Sequence, residues 1–305
     1  APSSQLAENS DGGDVDRLAT SAVDDIQAFW LAEYPKYFKG TFTPVDRIIS
    51  WDSDAPPGSG IDFCGDPTSG QANAGYCIKD NTIGWDRTNL LPAMIDSFGP
   101  MSVVMVLAHE YGHAVQPQSG IVGKDDPGIV LEQQADCFAG VFVRHVAEGN
   151  SPHFTINTSD GLNSVLAATV SIRDADPNDP DAIHGSAFER VTAVQIGFTD
   201  GPDACVRIDE KEIDSRRADL PQQFGSPDDT GELPVTEATL GEFVKALQNI
   251  FGMANPPTVS YAGADTGCPN VRVTEPVSYC PGTDTIGVDI PALARRGTPR
   301  DDPKN

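Results

Sequence analysis

The segment Val106-Leu107-Ala108-His109-Glu110-Tyr111-Gly112-His113-Ala114-Val115, an H-E-x-x-H embedded in apolar residues, constrains this chain more than any other feature. It predicts a helix from about Pro100 to Gln116, since Pro100 stands where a helix can begin and Pro117 where it must stop. On a helix, His109 and His113 lie one turn apart on the same face. Both imidazoles can therefore grip one zinc ion, with Glu110 beside the remaining coordination position.

A catalytic zinc takes three protein ligands and keeps one position open, so a third ligand is expected on another element. Glu132 comes next in Leu131-Glu132-Gln133-Gln134-Ala135-Asp136-Cys137-Phe138-Ala139-Gly140, and Asp136 shares its face one turn later. Glu132 is the expected third ligand. Asp136 is expected to accept the free ring N–H of a liganded histidine, His109 in the simplest arrangement, and so fix its tautomer. Both acids lie among small and apolar residues, and acids placed there need partners.

Six cysteines, at 64, 77, 137, 205, 268 and 280, contain no C-x-x-C pair, which points to structural disulfides and an oxidising compartment outside the cytosol. Six cysteines allow 15 connectivities. An internal repeat narrows them. Tyr76-Cys77 to Trp85-Asp86 aligns without gaps on Tyr279-Cys280 to Val288-Asp289, with six of eleven positions identical at an offset of 203 residues. The repeat pairs Cys64 with Cys77 and Cys268 with Cys280, and elimination leaves Cys137 with Cys205. Helix-like segments precede both copies, Val15 to Tyr34 and Thr239 to Met253. In the second copy, the counterpart of the metal helix would start beyond residue 300. This predicts a piece of a longer protein, whose C-terminal continuation would complete the second repeat.

Elsewhere the pattern predicts helices at about 128–148, 159–173 and 185–198. Strands are expected at 46–51, 75–85, 257–261 and 278–289, and surface loops at 174–181 and 225–234. The fold class is α+β, mainly helical with a small sheet. Acidic residues outnumber basic ones 45 to 20, a formal charge of −25, which disfavours nucleic acid and anionic membranes as partners. The longest apolar run, Met101 to Ala108, is far too short to span a bilayer.

His-Glu-Tyr-Gly-His with Glu-Gln-Gln-Ala-Asp downstream resembles the gluzincin pattern of HExxH and a later ExxxD. More narrowly, it is similar to the bacterial neutral zinc metallopeptidases, which carry an HExGH helix and an E-x-x-A-D-C-x-A-G segment; the likeness covers roughly residues 15 to 205. The resemblance implies a zincin-like metallopeptidase domain over 13–225. A partial repeat over 235–294 would pack on it, between flexible termini at 1–12 and 295–305. In membrane-bound gluzincins a His and an Arg six residues later stand near the oxyanion, and His184 and Arg190 have that spacing. The resemblance thus implies His184 on the oxyanion or substrate side, with Arg190 as its neighbour or as a partner of Asp136 or Glu132. Tyr111 reads as core, and His145 and His153 as surface.

These parts lead to the expectation of a secreted or cell-envelope zinc endopeptidase acting on peptides or proteins. It would hold one zinc ion on His109, His113 and Glu132, with Glu110 as general base. The strand Ile83 to Trp85 is the expected edge for an extended substrate. The alternative is a non-catalytic envelope protein in which zinc only staples two helices or the hairpins bind a partner. A fourth protein ligand on the metal would favour that alternative.

Overall fold

The computed structural model describes residues 7–121, 126–156, 159–172, 184–216, 234–250, 252, 254–269 and 271–297. The chain divides into two compact units, Ala1–Ala218 and Asp219–Asn305. The loop expected at 174–181 and all but Pro234 of the loop expected at 225–234 lie outside the described residues, as do the ends of the expected flexible termini.

In the first unit the order is α1 (Asp14–Tyr37), β1 (Arg47–Trp51), β2 (Asp62–Phe63), β3 (Asp66–Pro67), β4 (Ala74–Cys77) and β5 (Thr82–Asp86). Next come α2 (Leu90–Phe98), α3 (Met101–Ser119), α4 (Gly128–Ala147), α5 (Ser159–Ser171), α6 (Ala187–Asp200), α7 (Pro202–Cys205) and α8 (Glu210–Arg216). This is an α+β architecture in which helices dominate. The sheet has the order β1-β5-β4, with β1 parallel and β4 antiparallel to β5. The strand Ile83 to Trp85 is therefore central, paired on both sides, and cannot accept a substrate backbone. β4 is an outer strand of this sheet.

Asp16 of α1 ties the sheet to the helices. Its carboxylate accepts from Ser50 Oγ at 2.6 Å, Trp85 Nε1 at 2.8 Å and the Asp11 backbone N–H at 3.1 Å. These donors hold it below the usual carboxylate range against the opposing effect of burial. Part of the stretch 1–12 is also docked: Glu8 N–H donates to Ile48 O at 2.7 Å, and Ala7 is buried.

α3 is buried over nearly its whole length, including Tyr111, as befits a helix apolar on all sides. It continues past the expected stop. Pro117 falls in the last turn, where the lost N–H costs one bond, and the helix ends only at Gly120, whose φ of 69° is left-handed. Two close approaches set how the helices stack. A Cβ on Gly112 would lie 2.9 Å from both Cα and O of Ala135, so glycine lets α3 and α4 meet at backbone distance. Likewise, a Cβ on Gly197 would fall 1.8 Å from Cys137 O, which closes α6 onto α4. Cys137–Cys205 then joins α4 to α7, and Cys64–Cys77 clips the strand β4.

α6 begins with a capping box rather than at Gly185: Ser186 Oγ accepts from Glu189 N–H while the Glu189 carboxylate accepts from Ser186 N–H. His145 and His153, expected on the surface, are both partly buried. His145 stacks against Phe142, and His153 Nδ1 lies 2.6 Å from Oδ1 of the buried Asp25.

The second unit holds α9 (Glu237–Ile250), β6 (Thr258–Ser260), β7 (Val277–Cys280), β8 (Thr285–Val288) and α10 (Ile290–Gly297). Its sheet order is β6-β8-β7, parallel then antiparallel, and Cys268–Cys280 clips it. Arg295 and Arg296, expected in a flexible terminus, belong to the last turn of α10.

Candidate metal centre

Three side chains converge between α3 and α4. His109 Nε2 stands 3.1 Å from Glu132 Oε2, and His113 Nε2 stands 3.5 Å from Glu132 Oε1. Among the described residues, these three form the one group of His, Cys, Asp or Glu whose ligand atoms all lie within 4.8 Å of one another. The helix spacing supplies the two imidazoles, and the close passage at Gly112 brings the carboxylate of α4 to them.

The donor set fits a cation. Asp136 is fully buried and accepts from Arg190 Nε at 2.9 Å and Nη2 at 2.8 Å, while Arg190 Nη1 donates to Ile172 O. Against the cost of burial, the Arg190 guanidinium and His109 keep Asp136 below its ordinary range, so it is an acceptor only. The His109 Nδ1 that lies 2.8 Å from Asp136 Oδ1 must then carry the hydrogen. Its Nε2, left with the lone pair, lies 3.1 Å from Glu132 Oε2, a buried oxygen that receives no hydrogen bond. Two electron-rich atoms this close call for a positive charge beside them. Zinc ligands at about 2.0–2.1 Å and tetrahedral angles would lie about 3.3 Å apart, and the observed 3.1 and 3.5 Å bracket that spacing.

Without a metal, protons fill this role. Burial opposes charge on His109, but Asp136 and Glu132 overcome it and push the imidazole up to about 10. His113 is raised as well, by Glu132 against burial. Glu132 is held far below the carboxylate range by its contacts with the two histidines, although burial acts the other way. Glu110 goes up: its burial outweighs the pull of the neighbouring imidazoles and of the hydrogen bond from the Tyr76 backbone N–H.

Glu110, His109, His184 and Arg190 line a cavity of about 90 Å³, together with Asn73 and Ala74 at the start of β4 and the apolar Leu90, Met94, Val106 and Ile172. His184, just before the capping box of α6, is 40% exposed, with Nε2 at 3.8 Å from Glu132 Oε2. The structure thus gathers all seven sequence-predicted site residues around one cavity and its supports. Arg190 resolves as the partner of Asp136. Two amides were missed by sequence reasoning: Gln116 Oε1 lies 2.9 Å from His113 Nδ1, and Gln134 lies behind Gln116. Their signal was present, since uncharged amides inside buried helices must find hydrogen-bond partners.

No helix among the described residues is long and apolar enough to cross a membrane. The three disulfides fit an oxidising environment. No family model matches the chain, and no solved structure matches it. It is similar to three mycobacterial proteins, one from Mycobacterium bovis and two from strains of Mycobacterium tuberculosis, each called an uncharacterized protein. Each is 27% identical over 235 residues, spanning 67% of this chain and 76% of the relative.

Proposed function

We propose that the protein is a zinc-dependent endopeptidase of gluzincin type with a zincin-like core, secreted or held in the cell envelope. The observation that carries this reading is the convergence of His109, His113 and Glu132 at metal-ligand spacing beside a carboxylate, Glu110, that opens on the same cavity. The absence of a fourth His, Cys, Asp or Glu from the group among the described residues favours an open coordination position over a structural staple.

Zinc on these three ligands would acidify water and polarise a carbonyl as a Lewis acid. Glu110, raised by burial and lining the cavity, is suited to take a proton from an attacking water and deliver it to the leaving amine. His184, which lines the same cavity, would donate a hydrogen bond to the developing oxyanion. Asp136 and Arg190 keep His109 turned with its lone pair toward the metal position. A substrate strand would pair with the outer edge of β4, whose first residue, Ala74, lines the cavity.

The test is cleavage of casein by the purified, zinc-loaded chain, with and without chelator, beside the Glu110→Gln variant. Chelator-sensitive cleavage that disappears in the variant while zinc is retained supports the reading. Turnover by Glu110→Gln at the wild-type rate removes Glu110 as the base.

A further inference from the structure

We infer that Gln116 and Gln134 form an amide relay that fixes the tautomer of His113 and thereby the strength of the metal site; this rests on the metal reading above. Hydrogen-bond polarity can be traced from one end. Ile208 O is a backbone carbonyl and only accepts, so the Gln134 atom 2.9 Å away must be its NH₂ group. Gln134 Oε1 then faces Gln116 as an acceptor at 3.1 Å. A second carbonyl, Leu131 O, lies 2.7 Å from the same Gln116 nitrogen and assigns that nitrogen independently as the amide donor. Both glutamines are almost wholly buried, so water does not compete for these bonds.

The orientation of Gln116 leaves its oxygen against His113 Nδ1 at 2.9 Å. An amide oxygen accepts, so Nδ1 carries the hydrogen and Nε2 keeps its lone pair toward Glu132. His109 receives the same instruction from a carboxylate backed by a guanidinium, whereas His113 receives it from neutral amides anchored on backbone carbonyls. The difference is physical: a second buried carboxylate here would need its own counter-charge, and the relay achieves the orientation without one. Gln116 and Gln134 are positioning residues. They act through His113, and the relay's far anchor lies three residues after Cys205, which is bonded to Cys137 on α4.

The test measures zinc affinity of the full chain by competition with a chromophoric chelator, alongside the Nδ1–H signal of zinc-loaded, ¹⁵N-histidine-labelled protein. Gln116→Met keeps the length of the side chain and removes the acceptor; a 10- to 100-fold loss of zinc affinity is expected, with fast solvent exchange of the His113 Nδ1 proton. Gln134→Leu should weaken zinc in the same direction by less, and it carries the test should Gln116→Met not fold. Wild-type affinity and a protected Nδ1 proton in Gln116→Met, or in Gln134→Leu if it stands in, would overturn the relay alone. A wild-type chain that takes up no zinc would overturn the metal reading and the relay with it.

Discussion

The two units carry nearly the same scaffold, and in the first the chain runs on from it into a pair of long buried helices, α3 and α4. In the first, α1, the sheet β1-β5-β4 and α2 come in sequence; in the second, α9, β6-β8-β7 and α10 do the same. The pairings correspond residue for residue between β4–β5 and β7–β8: Tyr76 faces Ile83 as Tyr279 faces Ile286, and Cys77 faces Thr82 as Cys280 faces Thr285. Tyr76 Oη donates to Asn81 at 3.0 Å and Tyr279 Oη to Asp284 at 2.8 Å, both acceptors sitting at positive φ. Asp86 accepts from the first N–H groups of α2, and Asp289 does the same for α10. Yet β5 is buried throughout while β8 is only partly so, and Tyr279 is 44% exposed. The hairpin scaffold is thus common to both units, whereas α3 and α4 of the first carry the candidate metal ligands.

The sharpest break in the comparison is catalytic. On the proposed reading, Glu110→Gln should lower peptide cleavage by about 10²- to 10⁴-fold with zinc still bound, because the proposed base lies on α3, beside the metal ligands rather than among them. Arg190→Leu comes next. It leaves Asp136 buried with only His109 as partner, and should cost the first unit about 3–5 kcal/mol while leaving amide protection in β7 and β8 unchanged, as hydrogen exchange would read.

Proton linkage sharpens the same contrast. The folded value of His109, about 10, lies above its unfolded value of about 6.5. Its contribution to stability is therefore whole below pH 6.5 and is lost as pH rises toward 10. Asp136 is depressed, so its contribution is present above about pH 4 and is lost on acidification. Chelator-treated protein should accordingly melt lower at pH 9.5 than at pH 6.5, whereas zinc-loaded protein, which needs no proton at Nε2, should not show the alkaline fall.

The disulfides test the likeness rather than the difference. Cys64–Cys77 and Cys268–Cys280 close loops of 13 and 12 residues. Replacing either pair by serine should cost about 3 kcal/mol, equally in both hairpins, as measured by hydrogen exchange of each. Smallest is the tyrosine pair. Tyr76→Phe should cost about 1 kcal/mol and Tyr279→Phe less than about 0.5 kcal/mol, since Tyr76 is half-buried and Tyr279 is wetter.

Much of this was legible in the chain, and for physical reasons. The i, i+4 spacing of His109 and His113 needs only a helix to bring them together, and Glu132 and Asp136 share a face by the same rule. The repeat exposed the two hairpin clips, and all three disulfides form as expected. What was not legible depended on tertiary partners. The short α2 and α10 lack long periodic patterns, and β5 looked like an edge because a strand's neighbours are not written in its own residues. Pro117 stands inside α3 because the last turn tolerates the missing N–H. The close approach at Gly112, and the amide relay behind His113, emerge only once α4 lies against α3.

The most direct test of the central claim is a crystal structure of zinc-loaded protein with anomalous scattering recorded across the zinc edge. The account predicts one zinc ion bound by Nε2 of His109, Nε2 of His113 and the Glu132 carboxylate, with solvent in the remaining position beside Glu110. An empty site with these side chains turned apart, or a zinc closed off by a fourth protein ligand, would contradict it.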